Sequence, residues 1–168
     1  RLLAVSDPSR QLPSALFQVE PEDFVVEEID AYPTTGEGEH TFVRIRKRDL
    51  STEHAVARLA EALRLDKRAC SWAGLKDRRA IATQRVSLPT VAPEAVMALR
   101  WPDLEVLEAA RHRNKLRPGH LRGNRFVIRL RDVVPEATTF VDLERIGREG
   151  FPNAYGPQRF GRDGDNDV

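Results

Sequence analysis

Asp77 is the one acid in AGLKDRRAIATQ (73–84), with Lys76 before it and Arg78 and Arg79 after it. Two readings of that cluster compete. Charges grouped on a surface turn are usually solvated and contribute little. A carboxylate among cations is also favoured in its ionised form, which suits it to nucleophilic attack. A second grouping lies in GNRFVIRL, where Asn124 and Phe126 stand two apart. On a strand that spacing puts Asn124, Phe126 and Ile128 on one face, with Arg125, Val127 and Arg129 on the other. An amide beside a ring suits holding and stacking a flipped base; the alternative is a core phenylalanine with an edge asparagine.

The third grouping is a run of charge. Residues 111–131, RHRNKLRPGHLRGNRFVIRLR, carry Arg111, Arg113, Lys115, Arg117, Arg122, Arg125, Arg129 and Arg131 and no acid. Residues 20–30, EPEDFVVEEID, carry six acids and no Lys or Arg. Segregated cations interleaved with rings and amides form a polyanion footprint, or else a solvated strand-loop-strand face. Charge alone does not choose between them.

Other chemistries find no support. The 168 residues hold one cysteine, Cys70, so neither a disulfide framework nor a Cys/His metal cluster is present. TGEGEH lacks the Lys-Ser/Thr of a phosphate loop. The four histidines (His40, His54, His112, His120) are scattered and read as surface or turn residues. Trp72 and Trp101 read as packing. With no apolar run to span a membrane and a polar start, a cytoplasmic protein is expected.

The elements that must position these residues follow from periodicity. FVVEEI (24–29) reads as a strand. TFVRIRK (41–47) alternates Thr41, Val43 and Ile45 against Phe42, Arg44 and Arg46, a strand with one wet face. Joined through YPTTGEGEH, the two are expected to form a hairpin with a long loop. In 50–65, Ala55, Val56, Leu59, Ala60 and Leu63 share a helical face, capped by Ser51 or Thr52. IATQRVSL reads as a strand and 92–100 as a short helix. LEVLEAARHR fits strand or helix. NRFVIRLRDV (124–133) reads as one strand, and 138–150 as a helix closed by Gly150. The irregular alternation predicts an α+β fold with a mixed, largely antiparallel sheet and flanking helices.

Four segments, in order, resemble the TruD family of RNA pseudouridine synthases: PEDFVVEEI followed by GEGEHTFVRIRK with Thr52; AGLKDRRAIATQ; KLRPGHLRGNRFVIRLR; and GFPNAYGPQRFG. The resemblance implies isomerisation of uridine to pseudouridine in RNA, typically uridine 13 of bacterial tRNA, without cofactor or metal. It matches Asp77 to the catalytic aspartate, Phe126 to the ring that stacks on the target base, and Asn124 to the amide beside it. Gln18 stands where the family more often has lysine. Lys76 and Arg78 are then expected at the substrate, and Arg111, Arg113, Lys115, Arg117 and Arg122 on the RNA backbone. A non-catalytic RNA-binding module and an inactive fragment are the alternatives. The expected partner is tRNA, with no membrane, and the expected state monomeric. Members of the family interrupt their catalytic domain with a large insertion. By that likeness, residues 1–150 are the N-terminal part of a pseudouridine-synthase-like catalytic domain, apparently incomplete, and 151–168 the truncated entry into the insertion.

Overall fold

The computed structural model describes residues 14–134 and 139–150. The chain divides into two compact units, one of Ala15–Asp132, the other of 1–14 with 133–168. In the latter, a helix over Thr139–Glu149 forms over the expected span and ends at Gly150, whose φ of 77° is left-handed backbone that suits glycine. The segment 151–168 lies outside the described residues.

Ala15–Asp132 is built on a mixed, largely antiparallel sheet. Its strands are β2 (Phe24–Asp30), β3 (His40–Arg48), β4 (Ser71–Trp72), β5 (Ile81–Pro89), β6 (Leu104–His112) and β7 (Leu121–Ile128). The order is β6-β3-β5-β2-β7, with β4 paired to β5. Only β2 and β5 run parallel. Strands β1 (Ser14–Phe17) and β8 (Leu130–Val134) pair separately.

The expected hairpin of β2 and β3 does not form, because β5 lies between them. From Ala82 to Leu88 every residue of β5 is buried, and a strand covered on both faces belongs at a sheet's centre. The connection 33–39 instead folds over the end of β6. There the Gly36 amide donates to the Arg111 carbonyl at 3.0 Å. Gly38 sits at φ 118°, where a Cβ would come 2.4 Å from the His112 carbonyl oxygen, so only glycine fits. The ambiguous LEVLEAARH is strand, paired along β3.

The single strand expected over 124–133 is two. It breaks at Arg129, whose amide leaves the ladder to donate to the Asp23 carbonyl at 2.8 Å. Asp23 is fully buried, and its carboxylate accepts from Arg131 Nε and Nη2 at 2.7 and 2.9 Å and from the Glu20 amide at 3.0 Å. Those bonds, the Arg131 pair foremost, hold its pKa below the usual carboxylate range.

Helix α1 (Thr52–Ala62) follows its periodicity. Ser51 caps it, accepting from the His54 amide at 3.2 Å. Ala55, Val56, Leu59 and Ala60 pack on Val43, Ile45, Val86, Leu88 and Leu104, with Trp72 and Trp101 at the margin. Each large aliphatic so buried contributes roughly 1.5–3 kcal/mol. The opposite face of β3 is wet at Arg46 but not at Phe42, which is buried against Ala73 and Leu116. The wet-face expectation fails there because the segment after β6 folds back over the sheet, a contact no local pattern encodes.

Candidate active site

The loop 73–80 joins β4 to β5, and buried polar side chains hold it from beneath. Thr52, at the start of α1, donates through Oγ1 to Gln84 Oε1 (2.7 Å) and accepts from the Lys76 amide (3.1 Å). Gln84 Nε2 donates to the Gly74 carbonyl (3.3 Å). Lys47 Nζ donates to the Asp77 carbonyl (2.7 Å) and reaches that of Lys76 (3.5 Å). Lys76 Nζ, finally, meets Glu28 Oε2 at 2.5 Å, while Glu28 Oε1 accepts from the Arg85 amide at 3.1 Å. Strands β2, β3 and β5 and helix α1 each supply one clamp. The Asp77 side chain stands exposed above them, and its carboxylate accepts no hydrogen bond among the described residues.

Lys47 is fully buried, and desolvation pulls its pKa down to about 8. The Asp77 charge opposes that shift and the Lys76 charge adds to it. The sequence carried a signal for Lys47: it continues the Thr41, Val43, Ile45 alternation and so is a lysine on an apolar face. Glu28 gave none, since FVVEEI places two glutamates side by side and only the sheet decides which one is buried.

The loop's own cations are engaged elsewhere. The Lys76 side chain is 5% exposed and the Glu28 side chain 1%, a buried ion pair. Arg79 Nη2 donates to the Val19 carbonyl at 2.6 Å, and Gln18 Nε2 donates back to the Arg79 carbonyl at 3.2 Å. This exchange holds Gln18 at φ 53°, left-handed backbone that a non-glycine residue enters at some cost. The position matched to the family's lysine thus lies against the Asp77 loop. Arg78 is exposed, 3.7 Å from Asp49.

Phe126 and Asn124 share the sheet face that carries these clamps. Pairing runs Phe126 to Val26, Val26 to Ala82 and Ala82 to Lys47, one row across four strands. Asn124 pairs with Glu28. Val26 and Ala82 are buried in a cluster with Phe24 and Ala80, so the row is packed between the exposed ring and the buried Lys47. Phe126 is 51% exposed, its ring 5.7 Å from that of Phe24, so it is no core phenylalanine in this chain. An exposed ring and a free carboxylate on one rigid face can stack a base and attack its sugar.

The basic run divides. Arg129 and Arg131 turn to Asp23, and Arg113 to Glu37. Arg111, Lys115, Arg117, Arg122 and Arg125 meet no acid among the described residues. Nor are all the histidines scattered: His40, His112 and His120 line one cavity, a correction that follows from the same fold-back of 113–120.

A model of the family "tRNA pseudouridine synthase D (TruD)" matches residues 14–166. The tRNA pseudouridine synthase D of Geobacter sulfurreducens is 49% identical over 155 residues, 91% of this chain and 38% of that protein. That of Geobacter sp. strain M21 is 51% identical over 146 residues, 86% of this chain and 37% of that protein. Among solved structures, a putative tRNA pseudouridine synthase D from Methanosarcina mazei matches with a TM-score of 0.77 and 32% identity, over 88% of this chain and 35% of that one. The chain spans less than half the length of each. Among the described residues no helix is long and apolar enough to cross a membrane.

Proposed function

The chain belongs to the tRNA pseudouridine synthase D (TruD) family, and on that premise we propose that it supplies the nucleophile and base-stacking face of an enzyme isomerising uridine to pseudouridine in tRNA, at position 13. The observation that carries this is Asp77: an exposed carboxylate on a loop whose backbone is held by Lys47, Thr52 and Gln84 and whose Lys76 side chain is held by Glu28, above the face that presents Phe126 and Asn124.

The reaction breaks the N1–C1′ bond, its electron pair leaving with the uracil. The ring turns, C5 bonds to C1′, the C5 proton is lost and N1 gains one, so atoms and charge balance without a cofactor. Asp77 attacks C1′ as N1 leaves and its carboxylate is displaced again when C5 bonds to C1′, or it assists departure and traps the product. Phe126 keeps the detached ring stacked and Asn124 hydrogen-bonds its edge. Lys47 fixes the Asp77 backbone and adds positive charge beneath it. Arg111, Lys115, Arg117, Arg122 and Arg113 hold phosphates while the target is opened. Lys76 and Arg78 complete the substrate side, Lys76 through the loop it anchors. In the same reading, residues 1–150 begin the catalytic domain, 151–168 enter an insertion, and the protein is a cytoplasmic monomer.

The test is Asp77→Asn in the full chain. Pseudouridine formation should vanish, with tRNA affinity within about twofold, because the amide keeps shape and loses charge and nucleophilicity. Appreciable residual turnover, read by chemical detection of pseudouridine, would sink the assignment.

A further inference from the structure

His40 and His112 are register partners on β3 and β6. The Tyr32 hydroxyl lies 3.0 Å from His120 Nδ1, and its ring stacks on His112 with centroids 5.4 Å apart and planes at 17°. His112 stacks in turn on Phe42 at 4.1 Å. Tyr32, His40, His112 and His120 wall an open cavity of about 680 Å³, lined also by Arg113, Lys115 and Arg117 and by no carboxylate. Sites for small molecules run to about 300–1,000 Å³. Alternation along β3 sets His40 and Phe42 on the sheet face opposite Val43, Ile45 and Lys47, so the cavity is separate from the Asp77 site.

Several features lack a structural use within the fold. His112 is 4% exposed, yet its Nδ1 has no partner among the described residues, and neither does His40 Nδ1. Buried polar atoms are normally satisfied. Lys115 is half-buried and Arg117 exposed, and neither meets an acid among the described residues. Burial, helped by Arg85, His40 and Arg113, holds the His112 pKa below its ordinary value. The cavity wall is cationic or neutral throughout.

We propose that this cavity is a second RNA site, which takes one nucleotide of the bound strand other than the target uridine, its phosphate on Lys115 and Arg117 and its base against Tyr32 and His120. Cations without acids select a phosphate, and a wall of rings selects a base over a bare anion. The site goes beyond the isomerisation at Asp77; it rests on the reading that RNA is bound and gives the phosphate contacts of Lys115 and Arg117 a particular nucleotide.

The experiment titrates the full chain with uridine 5′-monophosphate while following the His112 and His120 imidazole resonances by NMR. Both should shift saturably, and do so equally in the Asp77→Asn, Phe126→Ala double variant, which separates this site from the catalytic one. Lys115→Gln with Arg117→Gln should weaken the nucleotide about tenfold or more, as should removing the phosphate from the ligand. Inorganic phosphate binding as tightly as the nucleotide would make this a free-phosphate site and overturn the assignment. Unmoved histidine resonances in the wild-type titration would overturn it outright, whether or not the variants fold.

Discussion

The cations of the Asp77 loop and those of residues 111–131 look alike in sequence and are used differently. In the loop, Lys76 is buried on Glu28 and Arg79 is bound to the Val19 carbonyl. In the basic run, Arg111, Lys115, Arg117, Arg122 and Arg125 remain without acids among the described residues. The first set fixes a backbone; the second is free to meet an anion. The cation that reaches Asp77 from below comes from neither, but from β3, as Lys47. Whether a neighbouring carboxylate or carbonyl already holds the cation, not local charge density, separates the roles.

Glu28→Ala should show the largest effect. It leaves the Lys76 ammonium buried and unpaired, at a cost of about 3–5 kcal/mol in urea unfolding. Glu37→Ala, which frees the exposed Arg113, should cost less than about 1 kcal/mol. Equal costs would erase the distinction between the two regions.

Lys47 sharpens it through pH. Its folded pKa of about 8 lies below the unfolded value of 10.5. Between those values the unfolded chain binds more protons, so this group's contribution to stability rises with pH. Below about 8 the buried charge is a constant penalty of at most about 3 kcal/mol. Unfolding free energies across that window should climb in the wild type more steeply than in Lys47→Met. Identical slopes would show that Lys47 does not titrate there.

Phe126→Ala should cost roughly 1–3 kcal/mol of base binding while the melting temperature barely moves, since the ring is half-exposed. A large melting shift with activity per folded molecule preserved would return Phe126 to the core. The smallest effect per residue belongs to the basic run. Each of Arg111, Arg122 and Arg125 changed to Ala should reduce the slope of log affinity against log salt by about 0.7–0.9. An unchanged slope in the triple variant would remove this run from the RNA footprint.

Much of the candidate site was legible because it depends on short spacings. Asp77 is marked by its loop, and the Asn124/Phe126 pair by an alternation that survives in β7. The helix at 52–62 and the strands at 24–30, 40–48 and 81–89 follow from period and capping, which are local. The partner of β2 was not legible, because a parallel pairing with β5 joins segments some fifty residues apart and leaves no turn signal. The break at Arg129 was hidden for a similar reason: Asp23 lies more than a hundred residues away.

By itself, then, the sequence determined most of the segments that become strands and helices, though not that 104–112 is strand or that the run over 124–133 breaks. It also determined which residue types stand ready for chemistry and, by resemblance, the family. Those properties reside in side-chain period, turn residues and motif order. Only the tertiary structure decided that Glu28 takes Lys76, that Lys47 lies under Asp77, and that three distant histidines share one cavity. Each of these is a choice of which charge or ring loses its water, and that is settled when strands from different parts of the chain close over it.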